Sequence, residues 1–200
     1  MGLTASDWSA LRLEIQRMLY KNIPEDLSSD DPRFKKMTGM DTKWLKDQWK
    51  TGSIVTSCNS FAGWVAREIG VPGKSVLAKG VLNISDADKE VPGCWTPATS
   101  AETIENGWVP MAGDFYSGPF PGQKWGHVGV VYDFDPVAQE WTLIQGGQGG
   151  PKSGRDFIKW KTAKFDRTKI NGWVDIAFYM MPNGPAFSNL GIVHPSPYDE

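Results

Sequence analysis

The hydrophobic period of the chain changes once, near Gly113, and that change constrains the fold more than any other feature. Before it, apolar residues recur at helical spacing; after it they alternate or run in short β-branched and aromatic blocks. Trp8, Leu11, Ile15, Met18 and Leu19 form one helical stripe, with Thr4 and Asp7 spaced as a capping box. Residues 24–32 are acidic and proline-bounded and read as a surface loop, followed by a second helix from near Asp41 to about Gly52. There Lys43, Trp44, Lys46, Trp49 and Lys50 make an ordinary amphipathic face. A third helix is expected between Thr56 and Gly70: Thr56 or Ser57 caps it, Cys58 sits in its first turn, and Phe61, Ala62, Val65 and Ile69 form its buried stripe. Residues 71–110 hold little sustained period and read as a long surface excursion with one short helix at 101–105. Strands are expected at 114–116, 127–134, 141–145, 157–160 and 173–181, with a hairpin turn at Asp135 and Pro136 and a loop at Gly146, Gly147, Gly149 and Gly150. The predicted class is α+β, a helical half preceding an antiparallel sheet.

With 200 residues, 40% hydrophobic and 22% charged, the chain fits a single domain. The segmentation places a core at about 53–181, a helical N-terminal extension at 1–52 and a proline-bearing tail at 182–200. A net charge of −2 supplies no basic footprint, so nucleic acid is not an expected partner. No run approaches the roughly 18–20 apolar residues of a bilayer span, so membrane insertion is not expected either; the longest run near the C-terminus, 176–181, is strand-sized. Residues 1–7 lack the basic segment and apolar core of a secretory signal, so export of a chain made in the cytoplasm would need a signal-independent route or a removed leader. The two cysteines, Cys58 and Cys94, are expected as free thiols.

Cys58 is the residue with most chemical reach. A thiol attacks as thiolate, and the free group, with a pKa of about 8.5, is mostly protonated at neutral pH. The positive end of a helix dipole and a neighbouring imidazole both favour the anion, and the imidazole then protonates the leaving amine. Of the two histidines, His127 opens the apolar run Val128, Gly129, Val130, Val131, while His194 lies in the proline-rich tail. His127 is therefore the candidate base.

Three segments in order resemble the NlpC/P60 and CHAP hydrolases, which share a papain-like fold. Cys58-Asn59-Ser60-Phe61 running to Gly70-Val71 is similar to that family's nucleophile helix. Ala112-Gly113-Asp114-Phe115-Tyr116 is similar to its Gly-Asp strand, and Trp125-Gly126-His127-Val128-Gly129-Val130-Val131-Tyr132 to its His-Val-Gly strand. The resemblance implies a nucleophile helix packed on the antiparallel sheet, with Cys58 as nucleophile and His127 as base. A third residue from the following strand would orient the imidazole: Gln145 by position, with Gln148, Asp133 and Asp135 as rivals. A glutamine carbonyl can accept the second imidazole N–H and fix the tautomer without adding charge. Ser57 stands where many members have Asp, and the interval from Cys58 to Gly113 is longer than in a minimal domain of this kind.

The Cys58 backbone N–H is the expected oxyanion donor. Trp125, Ser57, Asn59 and Tyr116 are expected along the substrate path, with Trp95 and Trp108 as weaker candidates for an opposite wall. Asp114 is expected to hold a turn. The cysteines and histidines have no recurrent metal-ligand spacing, and no cofactor is implied. The resemblance implies hydrolysis of amides in peptidoglycan stem peptides or cross-links. A small domain of this kind is similar to antibacterial toxins injected through the type VI secretion apparatus, which act in the periplasm of a target cell and are neutralised by a cognate immunity protein. Two alternatives stay open: a papain-like protease or deamidase acting on a protein, and a non-catalytic binding module of the same fold.

Overall fold

The first helix, α1 (Ala5–Asn22), forms on the predicted stripe, burying Ile15 and Leu19 and resting Trp8, Leu11 and Met18 against the same core. A computed structural model describes residues 5–53, 55–119 and 126–180. Thr4, Trp125, His194 and the expected tail lie outside the described residues.

The proline-bounded segment contains a short strand, β1 (Asp26–Ser28), because Leu27 finds a buried site. Burying a leucine contributes about 1.5–3 kcal/mol, enough to draw a polar-looking segment into the sheet. Two helices follow, α2 (Pro32–Thr38), capped by Asp31, and α3 (Thr42–Lys50), capped by Asp41; only the second is legible as a period. Next comes α4 (Cys58–Glu68), which buries Phe61, Ala62, Trp64 and Val65.

Residues 71–110 are not a surface excursion. They form α5 (Val76–Lys79), a 3₁₀ turn (Ile84–Lys89), β2 (Trp95–Pro97) and α6 (Ala101–Glu105), and they bury Leu77, Ile84, Ala87, Cys94 and Ala98. Of these, α6 is the short helix expected at 101–105; the others are too short to show a period. The remaining elements are β3 (Phe115–Pro119), β4 (Gly126–Asp135), β5 (Glu140–Gln145), β6 (Phe157–Lys164), β7 (Gly172–Val174) and α7 (Ile176–Tyr179). The expected strand at 173–181 thus stops at Val174. Asp175 accepts the Phe178 N–H and caps a helical turn instead, which turns the apolar run into the core.

All seven strands join one antiparallel sheet in the order β1-β6-β5-β4-β3-β7-β2. Both edges come from the N-terminal half, so helices and sheet are interleaved in sequence rather than consecutive. One face, with Phe115, Val128, Val130, Ile144, Ile158 and Val174, packs on the helices. The other carries Tyr116, Val131, Trp141, Leu143 and Trp173. Residues of the expected extension, Ile15, Leu19, Ile23, Leu27, Phe34, Met37 and Leu45, share one core with Cys58 and Phe61, so the division at residue 53 does not describe the packing. No helix among the described residues is long and apolar enough to cross a membrane.

Candidate active site

β4 begins and β5 ends at the same end of the sheet, and the start of α4 reaches that end. The chain leaves β5 through Gly146 and Gly147, which run against Thr56 and Ser57. A Cβ on Gly146 would lie 2.8 Å from the Ser57 carbonyl oxygen, and Gly147 has φ +74° with Thr56 Oγ1 3.0 Å from its Cβ position. Glycine is required here for close approach and for left-handed backbone. The result brings the nucleophile candidate beside the strand that carries the histidine.

Cys58 is the first residue of α4, so its N–H belongs to the amides a helix leaves unsatisfied internally. Its Sγ lies 3.4 Å from Thr56 Oγ1, and the backbone amides of Val128 and Asn59 are placed so that they favour the thiolate. Val128 is the neighbour of His127, which joins thiol and imidazole through one residue of strand. The His127 Nε2 is 3.1 Å from Gln145 Oε1. Gln148 Nε2 donates to that same oxygen at 3.0 Å, so the oxygen is acceptor to both and the imidazole proton is assigned to Nε2. Nδ1 is then the basic nitrogen.

The rival orienters separate cleanly. Gln148 buttresses Gln145, Asp135 accepts the Val137 and Ala138 amides in the β4–β5 turn, and Asp133 lies 3.4 Å from the Gln16 side chain. Tyr116, directly opposite Gly129, packs its ring 6.1 Å from the imidazole and 5.0 Å from Trp141. A Cβ on Gly129 would meet that ring at 2.6 Å, so the glycine makes room for it.

Cys58, His127 and Gln145 are 4%, 8% and 7% exposed. Burial pushes the thiol up, outweighing Thr56 and the two amides, and it pushes the imidazole down, outweighing the Gln145 bond with Lys161 adding in the same direction. The expected depressed thiol does not result, because desolvation exceeds what the helix end and amides return. Both shifts favour the neutral form, so thiol and imidazole each rest uncharged at neutral pH. Tyr116 is raised as well, by burial and by the thiol's proximity.

Two expected substrate contacts take other positions. Ser57 is 0% exposed; its N–H goes to Asp156 Oδ2 at 2.8 Å, and its Oγ accepts the Gly147 N–H at 3.0 Å rather than capping α4. Tyr116 is buried behind the imidazole, not on a rim. Asn59 is half-buried in the first turn of α4. Trp95 is on β2, three strands from β4, and Trp108 packs against the Tyr116 face. Asp114 holds its turn through the Met111 N–H and also binds Arg12.

Sequence reasoning passed over Arg12 and Asp156. Arg12 had a signal: it falls between Trp8 and Ile15 on the buried stripe of α1, where a charge needs a partner. Asp156 had none, since an Asp just before a strand reads like any turn residue. Both cysteines are free. Among the described residues no three His, Cys, Asp or Glu side chains group as a metal site.

The site is thus a helix-start thiol, an imidazole and a carboxamide aligned on an antiparallel sheet. No protein-family model, curated protein or solved structure matches the chain.

Proposed function

We propose that this chain is a cysteine amidase of papain-like, NlpC/P60 kind that cleaves amide bonds in peptidoglycan stem peptides or cross-links. The observation that carries this reading is the imidazole of His127, held by Gln145 on Nε2 beside the strand amide that meets the Cys58 sulfur. That arrangement leaves Nδ1 to exchange a proton with the thiol, as amide cleavage by a cysteine requires.

Because thiol and imidazole rest neutral, attack and proton transfer occur together. Cys58 Sγ bonds to the carbonyl carbon while its proton passes to His127 Nδ1. The carbonyl oxygen takes up negative charge opposite the Cys58 N–H at the positive end of α4. The proton then moves to the amine nitrogen, the C–N bond breaks, and a thioester remains. Water adds to the thioester, gives its proton to the same nitrogen, and releases a carboxylate as the thiol is restored. The net change is amide plus water to acid plus amine, with no cofactor involved.

The wall substrate follows from the resemblance. In this reading the protein is an antibacterial effector acting in the periplasm of a target cell, with an immunity protein as its inhibitor. The deciding measurement is digestion of purified peptidoglycan followed by mass analysis of the fragments. The intact chain should release new amines and C58A none. If wall material stays intact while a protein amide is cleaved or deamidated, the protein-directed alternative replaces it.

Burial of the thiol favours one second reading, a binding module with an inert cysteine. Iodoacetamide separates the two: Cys58 should label well before Cys94, which is fully buried and raised by its surroundings, including Asp88 and Asp175. Equal, slow labelling of both would support the inert reading.

A further inference from the structure

Asp156 opens the turn into β6 and is 0% exposed, although an isolated buried carboxylate is among the most costly groups to desolvate. It is not isolated. Oδ2 accepts the Ser57 N–H at 2.8 Å and Oδ1 accepts the Phe157 N–H at 2.8 Å; the Gly149 amide and the Ser57 hydroxyl also favour the ionised carboxylate. That hydroxyl in turn accepts the Gly147 N–H. The backbone of Asp156 is tied as well, its carbonyl to the Ser29 N–H at 2.9 Å and its N–H to Ser29 Oγ at 3.2 Å.

Apart from the adjacent Phe157 N–H and the Ser29 bonds to its backbone, the Asp156 contacts lead to two pieces of chain. One is Ser57, the residue before the nucleophile. The other is the glycine loop that leaves Gln145, the residue that orients the base. We propose that Asp156 is a positioning residue for the site: its carboxylate fixes the Cys58 turn and the loop behind Gln145 to one another, so that thiol and imidazole stay in register.

A carboxylate recruited to activate the nucleophile would not be placed here, because its charge opposes thiolate formation, and Asp156 does act on Cys58 in that sense. Tyr116 is the titratable side chain whose ionisation the thiol opposes, and its ring packs against the His127 imidazole. The charge is tolerated for its hydrogen-bonding capacity: the Ser57 and Phe157 amides each occupy a separate oxygen, and an Asn amide offers one acceptor oxygen and a donor nitrogen that would meet another donor. Geometry and charge at this position therefore pull in opposite directions, and that opposition makes the role measurable.

The inference rests on the amidase reading for its turnover arm and not for its thiol arm. In D156N the iodoacetamide rate–pH profile of Cys58 should shift to lower pH, while kcat/KM falls on the order of tenfold or more, since small misplacement of reacting groups has effects of this size. A purely structural residue would change turnover and stability without making the thiol more acidic. S57A, which keeps the Asp156 charge and the Ser57 N–H bond but removes the hydroxyl link to Gly147, should lower kcat/KM several-fold and leave the thiol profile in place. Wild-type turnover in D156N, or an unchanged thiol profile in it, overturns the proposal. If D156N does not fold, S57A decides: wild-type turnover in it overturns the proposal, and a several-fold loss with an unmoved profile supports it. If the wild-type chain cleaves no amide, the amidase reading fails separately, and the D156N thiol profile still tests the placement of Asp156 against Cys58.

Discussion

Gln145 orients His127 with a neutral oxygen, so no carboxylate at this position stabilises an imidazolium, and Lys161 and burial both oppose one. The proposed base is therefore harder to protonate than a free imidazole. Its folded pKa lies below the 6.5 of a free imidazole, so the acid limb of kcat/KM should fall below pH 6.5. The same depression has a stability consequence with a definite sign: the unfolded chain takes up the proton first, so this contribution is fully present above about pH 6.5 and is lost as pH falls from there through the lower folded pKa. Q145A removes the acceptor and frees the ring to rotate. Its kcat/KM should drop roughly ten- to a hundredfold, the range found where partners orienting a functional histidine are removed. Q145E should instead move the acid limb upward, because an adjacent carboxylate favours the protonated ring. A Q145E profile superimposable on the wild type would separate Gln145 from the titrating base.

At the scale of elements, α1 is fastened to the sheet by one buried cation. Arg12 Nη1 lies 2.7 Å from Asp114 Oδ1 and its Nη2 lies 2.8 Å from Asp175 Oδ1, which joins α1 to the start of β3 and to the cap of α7. Asp114 also accepts the Ile176 N–H. R12A takes the guanidinium from a carboxylate whose side chain is 1% exposed, and losing one partner of such a pair costs about 3–5 kcal/mol. Urea unfolding should show that loss as a lower midpoint with little change in slope. The elements that were legible in sequence are α1, α3, α4, β3, β6, the start of β7 and the β4–β5 hairpin with its Asp135 turn, together with the short α6. β1, α2 and α5 were not, because one to two turns or three strand residues show no period, and only long-range partners such as Lys159 opposite Asp26 decide their state. Within the site, Cys58, His127 and Gln145 were legible by residue type and order. Asp156 was not, since its role depends on residues 99 positions away.

For the molecule as a whole, the sequence places the chemistry after residue 53, yet the packing gives the earlier residues structural work at the site. Strand β1 closes one edge of the sheet against β6, and Ser29, the residue after it, bonds both backbone groups of Asp156, which fastens the Cys58 turn. Ile15, Leu19, Phe34 and Leu45 fill the core on which α4 lies. A chain beginning at residue 53 would expose that core, open the β6 edge and leave Asp114 without Arg12. Each loss is comparable to a sizeable fraction of the roughly 5–15 kcal/mol by which a domain is stable. The shortened chain should therefore give no cooperative urea transition and no preference of iodoacetamide for Cys58 over Cys94. A cooperative transition together with selective Cys58 labelling would show instead that the thiol site is organised by the later elements alone, with the first 52 residues an appendage to it.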